Sequence, residues 1–202
     1  MKVLLAIAKA IDSFTYWLGY AMGWVSLAMI FIGALNVITR YAYRPIAAAF
    51  GRGVAERLSG NVYLELQVYA YTMVFLLGAS YVLKSNAHVR IDILYSRLSA
   101  KVRAWVDVFG ALFFLLPFSL LAIYYSYGYV MSSWQRLEMS PNPGGLPVYP
   151  LKSMILAAFI LLIAQALSDT IKNIAFIAGR DDSGSIHAQG DSDALVDQLE
   201  AI

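Results

Sequence analysis

No cysteine occurs among the 202 residues. That absence removes disulfides, thiolate-bound metals, iron–sulfur clusters and cysteine nucleophiles together. Histidine is nearly as scarce: His88 and His187 are the only two, one expected at a membrane edge and one in the C-terminal tail, so a haem held between two histidines is excluded. No His, Asp or Glu cluster suits a metal-dependent hydrolase, and neither a Ser/His pair nor paired intramembrane aspartates serve an intramembrane protease. Gly51-Arg52-Gly53 is too short to cradle a phosphate. The chain reads as no enzyme, with no metal or cofactor of its own.

Charge is also sparse. Asp, Glu, Lys and Arg make up 14% of the chain and hydrophobic residues 60%, where about 25% charged is usual for a soluble domain. The solvent for most of this chain is lipid. A net charge of +2, scattered between apolar runs, gives no basic patch for nucleic acid, which is discarded as a partner.

Long uncharged runs fill the space that charge leaves. Four are long enough to cross a bilayer, at about 14–38, 62–83, 108–134 and 151–178. The fold class is therefore all-α: an integral membrane four-helix protein with amphipathic interfacial helices, in a single domain over 1–178, followed by an acidic tail over 179–202 read as disordered. Pro117 predicts a kink in the third span. Gly19 and Gly23 form a small-xxx-small pattern suited to close helix approach. Tyrosines and tryptophans such as Trp17, Tyr41, Trp134 and Tyr149 gather near span ends as interfacial belts.

The opening residues imitate a secretory signal, but the apolar run from Val3 to Ala8 is short and Lys9 interrupts the cleavage-like site, so it reads as uncleaved. Leu4, Ile7, Ile11, Phe14 and Leu18 predict an amphipathic helix lying at the interface before the chain turns into the bilayer. Placing both termini in the cytoplasm puts nine Lys and Arg residues inside and six outside, the favoured sense of the positive-inside bias. The first outer loop, with Arg40, Arg44, Arg52 and Arg57 against Glu56 alone, runs against it. In that loop Ile46, Phe50, Val54 and Leu58 suit a short interfacial helix weakened by Gly51 and Gly53. Between Ser140 and Pro150, prolines and glycines set rigid turns.

Between spans two and three, Ile91, Leu94, Leu98, Val102 and Trp105 form an apolar stripe, with Arg90, Arg97, Lys101 and Arg103 on the polar side. That pattern suits a helix lying on an anionic leaflet, an inner-leaflet anchor and topology determinant. His88 titrates near neutrality and reads as a helix-start or interface hydrogen-bonder. Glu65, the one carboxylate near the start of a span, reads as a structural ion-pair partner for an arginine of the first loop or of another subunit. With the central portions of the first three spans uncharged, the chain lacks the mid-membrane ionisable site of an autonomous carrier. A stand-alone homo-oligomeric four-helix carrier and a membrane anchor of a redox complex remain as alternatives to an accessory transporter subunit.

On this frame Asn36-Val37-Ile38-Thr39-Arg40-Tyr41 closes span one, Glu65 opens span two, Gly78 to Tyr81 lie near its end, and His88-Val89-Arg90-Ile91-Asp92 follows. The Pro/Gly-rich loop ending at Pro150, then Lys152 and Gln165, completes a pattern that resembles the small membrane subunit of tripartite ATP-independent periplasmic (TRAP) transporters over roughly Lys9 to Lys172. The resemblance implies a multi-pass protein of the bacterial inner membrane with both ends cytoplasmic. Its implied partners are membrane lipid, a large many-spanning subunit and a periplasmic substrate-binding protein. It implies secondary active symport of an organic acid, with sodium and substrate carried by the elevator-type large subunit and not here. The small subunit enlarges and anchors the stator. On this reading Arg40, Glu65, His88, Arg90 and Asp92 are candidate structural or partner-interface residues, and Arg97, Lys101, Arg103 and Trp105 candidate inner-leaflet anchors.

Each basic residue near an anionic leaflet contributes about 1 kcal/mol. Replacing Arg90, Arg97, Lys101 and Arg103 together with Glu is expected to impair membrane assembly, as read by membrane fractionation and topology reporters. Normal insertion, topology and transport in that variant would remove the anchor role.

Overall fold

A computed structural model describes residues 2–85 and 98–179. Among these, four helices are long and apolar enough to cross a membrane, and no strand is present. The chain is a membrane protein. Its helices are α1 (Lys2–Tyr41), α2 (Tyr43–Phe50), α3 (Arg52–Leu58), α4 (Val62–Lys84), α5 (Ala100–Gly110), α6 (Leu116–Gln135) and α7 (Tyr149–Ile177). A wide π turn, Ala111–Leu115, joins α5 to α6.

Two expected interfacial elements take another form. The opening segment does not turn before entering the bilayer: α1 runs unbroken for 40 residues, about 60 Å at 1.5 Å per residue. No glycine or proline precedes Gly19, so nothing in the local chemistry stops the helix. Lys101, Arg103 and Trp105 likewise lie in α5, the first turns of the third long helix, instead of in a separate helix reaching back through Leu98. Ser99, in extended conformation, marks the break. In the first loop, Gly51 divides the expected helix into α2 and α3 by adopting φ 89° and ψ 155°, a region only glycine enters readily. Gly53 is tolerated inside α3.

Pro117 acts through its missing N–H. It leaves no donor for the carbonyl of Phe113, and the helix widens just ahead of it, with Leu116 N–H donating to Ala111 O, five residues back. The glycine pair is not used for packing at its second member: a side chain at Gly23 would meet open space.

The described residues form two compact units, one from 2–16, 80–85, 98–122 and 159–179, the other from Trp17–Ala79 and Ile123–Ala158. In the first, the buried positions are Ala8, Thr15, Ala104, Val108, Gln165, Ala166, Ser168 and their like, small or polar, while Leu4, Ile7, Phe14 and Phe118 face outward. The second buries Met22, Asn36, Ala55, Glu65, Val130 and Ser133 and turns Trp24, Phe31, Tyr71 and Phe75 out. The pattern follows from the solvent. Lipid tails are as apolar as leucine, so large hydrocarbon side chains gain nothing by turning inward, and close packing falls to small residues.

The C-terminus of α6 carries strain. Leu137 N–H reaches Trp134 O at 3.2 Å and Glu138 N–H reaches Ser133 O at 3.1 Å, a Schellman arrangement that puts Leu137 at φ 46°. Glycine is the residue suited to that position, and Leu137 is exposed. Leu137→Gly is expected to stabilise the protein by about 1 kcal/mol, read as a rise of about 2–4 °C in the unfolding temperature of the detergent-solubilised chain. A lowered midpoint would show that the leucine side chain outweighs its backbone strain.

Candidate functional site

The second unit contains a hydrogen-bonded assembly built from the end of α1, the start of α4 and the segment between α6 and α7. Asn36, Thr39 and Arg40 are spaced to share one face of α1. Asn36 Nδ2 donates to Gly60 O at 3.4 Å, Thr39 Oγ1 to Leu58 O at 2.9 Å, and Arg40 Nη2 to Asn61 Oδ1 at 3.1 Å. The turn leading into α4 is thus tied to α1. Asn61 O in turn accepts the Glu65 N–H at 3.1 Å in the first turn of α4.

Glu65 is 7% exposed, and its carboxylate faces the loop between α6 and α7. It accepts hydrogen bonds from Ser140 Oγ, from Asn142 Nδ2 at 3.0 Å, and from the Leu146 N–H. One turn further along α4, Tyr69 donates its hydroxyl to Pro147 O. Two residues at i and i+4 therefore grip opposite parts of one loop. That loop is a small hairpin: Ser140 N–H donates to Leu146 O at 3.0 Å, Val148 N–H to Glu138 O at 2.8 Å, and Met139 bridges Pro147. Gly144 makes the turn at φ 71°. Gly145 passes so close to its neighbours that a Cβ there would sit 2.6 Å from Ser140 Cβ, 2.9 Å from Asn142 O and 3.0 Å from Glu65 Oε1.

A second acid fastens the base of the hairpin. Glu138 Oε2 accepts from Ser133 Oγ at 2.7 Å and pairs with Lys152 Nζ at 2.5 Å. The same ammonium lies 4.0 Å from the Tyr129 ring centroid. The hydrogen bond from Lys152, followed by that from Ser133, holds the Glu138 carboxyl below its ordinary value. Its contribution to stability is therefore present above the normal carboxylate range and fades as pH falls through the lowered pKa. Trp134 Nε1 donates to Ser153 Oγ at 2.7 Å and its ring meets Tyr149 with centroids 4.6 Å apart.

The first unit holds a polar seam of its own. Asp12 of α1 meets Gln165, Ser168 and Lys172 of α7, with Asp169 on the far side of the lysine.

Among the sequence candidates, Arg40 and Glu65 join the same assembly, through Asn61 and the first turn of α4. Glu65 departs from expectation, since its partners in the chain are a serine, an asparagine and a backbone amide and not a first-loop arginine; Arg40 takes Asn61 instead. Lys101, Arg103 and Trp105 lie in α5, in the other unit, with Trp105 exposed and Arg103 Nε donating to Leu98 O at 2.9 Å. His88, Arg90, Asp92 and Arg97 lie outside the described residues. Sequence reasoning missed Tyr69, Ser140, Asn142 and Gly145, the Glu138–Lys152 pair and the seam around Asp12. The available signal was the dense turn chemistry of the 140–150 stretch and the carboxylate at the start of the second span.

These features define a multi-span α-helical membrane protein whose polar side chains fasten helices and a loop to one another. The family model for tripartite ATP-independent periplasmic transporters, DctQ component, matches residues 29–176, and the chain belongs to that family. It is a small membrane component of a TRAP transporter, a system in which this component works with a large membrane subunit and a binding protein. No curated protein and no solved structure matches the chain.

The Glu65 clamp is checked by amide hydrogen exchange at Leu146. Glu65→Gln removes the charge that strengthens those bonds and is expected to speed exchange there by roughly tenfold. Gly145→Ala should loosen the same amide without touching a charge. Unchanged protection in both variants would remove the clamp.

Proposed function

We propose that this chain is the fixed, non-catalytic small subunit of a sodium-coupled, binding-protein-dependent importer of an organic acid. It lies in a bacterial inner membrane with both termini cytoplasmic. There it anchors and enlarges the stationary scaffold beside which the large subunit makes its elevator-type movement. Sodium and substrate bind on the large subunit. Arg40, Glu65 and the hairpin belong to the outer, partner-facing end, where the periplasmic binding protein delivers its ligand; His88, Arg90, Asp92, Arg97, Lys101, Arg103 and Trp105 belong to the inner-leaflet side.

One observation carries this reading. Glu65, the carboxylate that opens the second span, already accepts from three donors of the hairpin. A carboxylate so engaged has little left to offer a travelling ion, and its position at the start of α4 suits a loop support. The distribution of nine basic residues to one side and six to the other supports the orientation.

The test is recovery of the tagged chain from native membranes in mild detergent, with mass identification of what accompanies it. A large many-spanning protein in roughly equal amount is the expected companion. A homo-oligomer without that companion would overturn the reading in favour of a stand-alone carrier.

A further inference from the structure

The seam between α1 and α7 joins charged and amide side chains across two long helices. Lys172 Nζ lies 2.8 Å from Asp12 Oδ2 and 2.8 Å from Asp169 Oδ1. Gln165 Nε2 donates to Asp12 Oδ1 at 2.9 Å and to Asp169 Oδ1 at 3.1 Å. Ser168 Oγ lies 2.9 Å from Asp12 Oδ1 and 3.1 Å from Ala8 O. The side chains of Asp12, Lys172 and Asp169 are 20%, 15% and 14% exposed, and Gln165 and Ser168 are fully buried.

Helix α7 is electrostatically self-sufficient here, because Asp169 and Lys172 pair within one turn. Helix α1 is not closed on itself in the same way. Lys9 stands one turn before Asp12 and is exposed, yet the Asp12 carboxylate reaches across to α7. Ala8 and Thr15, spaced to share the Asp12 face of α1, are buried. Leu4, Ile7 and Phe14 are exposed, and Leu5 and Ile11 are half-buried. A slip of one helical turn moves α1 by about 5.4 Å along α7. It would carry Asp12 out of reach of an ammonium now 2.8 Å away. The charged trio, with the Gln165 and Ser168 bonds beside it, distinguishes the two registers.

We propose that Asp12, Lys172 and Asp169 form a register clasp that sets the first long helix against the last. Buried ion pairs add little net stability over apolar replacements, and specifying register is their best-attested use. The clasp also orders assembly, since the Asp12 contact completes only once the last span is in place.

The chain has no cysteine of its own, so a pair introduced by Ala8→Cys and Ser168→Cys reports the native register by disulfide formation. Ala8→Cys paired with Ala164→Cys or with Ile171→Cys reports a one-turn slip in either direction. These pairs are placed in four full-length backgrounds: native, K172D, the swap D12K/K172D, and the apolar triple D12L/D169L/K172L. In the native and swapped backgrounds the 8–168 disulfide is expected to exceed either slipped pair by at least about tenfold. In K172D and in the apolar triple that preference is expected to fall to about twofold or vanish. If K172D fails to accumulate in membranes, recovery of both accumulation and the 8–168 disulfide in the swap carries the proposal. Retention of the native disulfide preference in the apolar triple would overturn it, as would a swap no better than K172D. The readout is intramolecular, so it stands apart from whether a large subunit is recovered with the chain.

Discussion

A polar group left without a partner in hydrocarbon costs several kcal/mol, while two apolar side chains gain almost nothing by preferring each other to lipid. That asymmetry is the constraint on which this protein rests. It inverts the usual arrangement of a core. Most large hydrophobic side chains are turned out, and the buried positions are mainly alanine, serine, threonine, glutamine and asparagine, with Met22, Leu77, Val108 and Val130 among the larger apolar ones. Such an interior supplies little specificity from shape, so hydrogen bonds and charges carry it. The ties from Asn36, Thr39 and Arg40 to the 58–61 turn, the Glu65 grip on the hairpin and the Asp12 seam are three instances of the same solution.

The chemistry of Glu65 illustrates why an ionisable residue at a span end need not be a transport site. A carboxylate has about four lone-pair positions, and here a hydroxyl, a carboxamide and a backbone N–H converge on them. The Leu146 N–H finds its acceptor in Glu65, while Ser140, Gly145 and Val148 donate within the hairpin. The acid completes the loop's hydrogen bonding, and the loop completes the acid's solvation. Gly145 is part of this bargain, because a methyl group there would overlap Ser140 and approach Glu65.

How much of this was legible followed from the distance over which each interaction acts. The spans were readable because twenty or more uncharged residues in sequence carry their own meaning. Asn36 to Tyr41 were readable as the stretch that closes span one, and Gly51 as a weak point of the first-loop helix. The turns expected before span one and between the basic segment and span three were not realised at those positions, since amphipathic spacing alone does not end a helix. Glu65 and its partners are 75 to 81 residues apart, and Asp12 and Lys172 are 160 apart. No local pattern announces which of several donors a carboxylate will find across such separations. A first-loop arginine was one expectation for Glu65 from charge alone, and within the chain three donors held in place by a hairpin meet the carboxylate instead.

These two kinds of fastening bear on the role proposed for the chain. A subunit that stays still beside a moving partner has to resist shear between its own helices, and apolar contacts among small residues resist sliding poorly, because each register offers nearly the same contact. Directional bonds do resist it, since a displacement of a few ångströms separates donor from acceptor altogether. A hairpin clamped by α4 and a charged seam joining α1 to α7 are therefore what a stationary membrane scaffold requires, and both draw on residues that a soluble protein of this size would have spent on its surface. The scarcity of charge in the sequence is the same fact seen from outside: Glu65, Glu138 and Lys152, with Asp12, Asp169 and Lys172, are committed to holding the structure together.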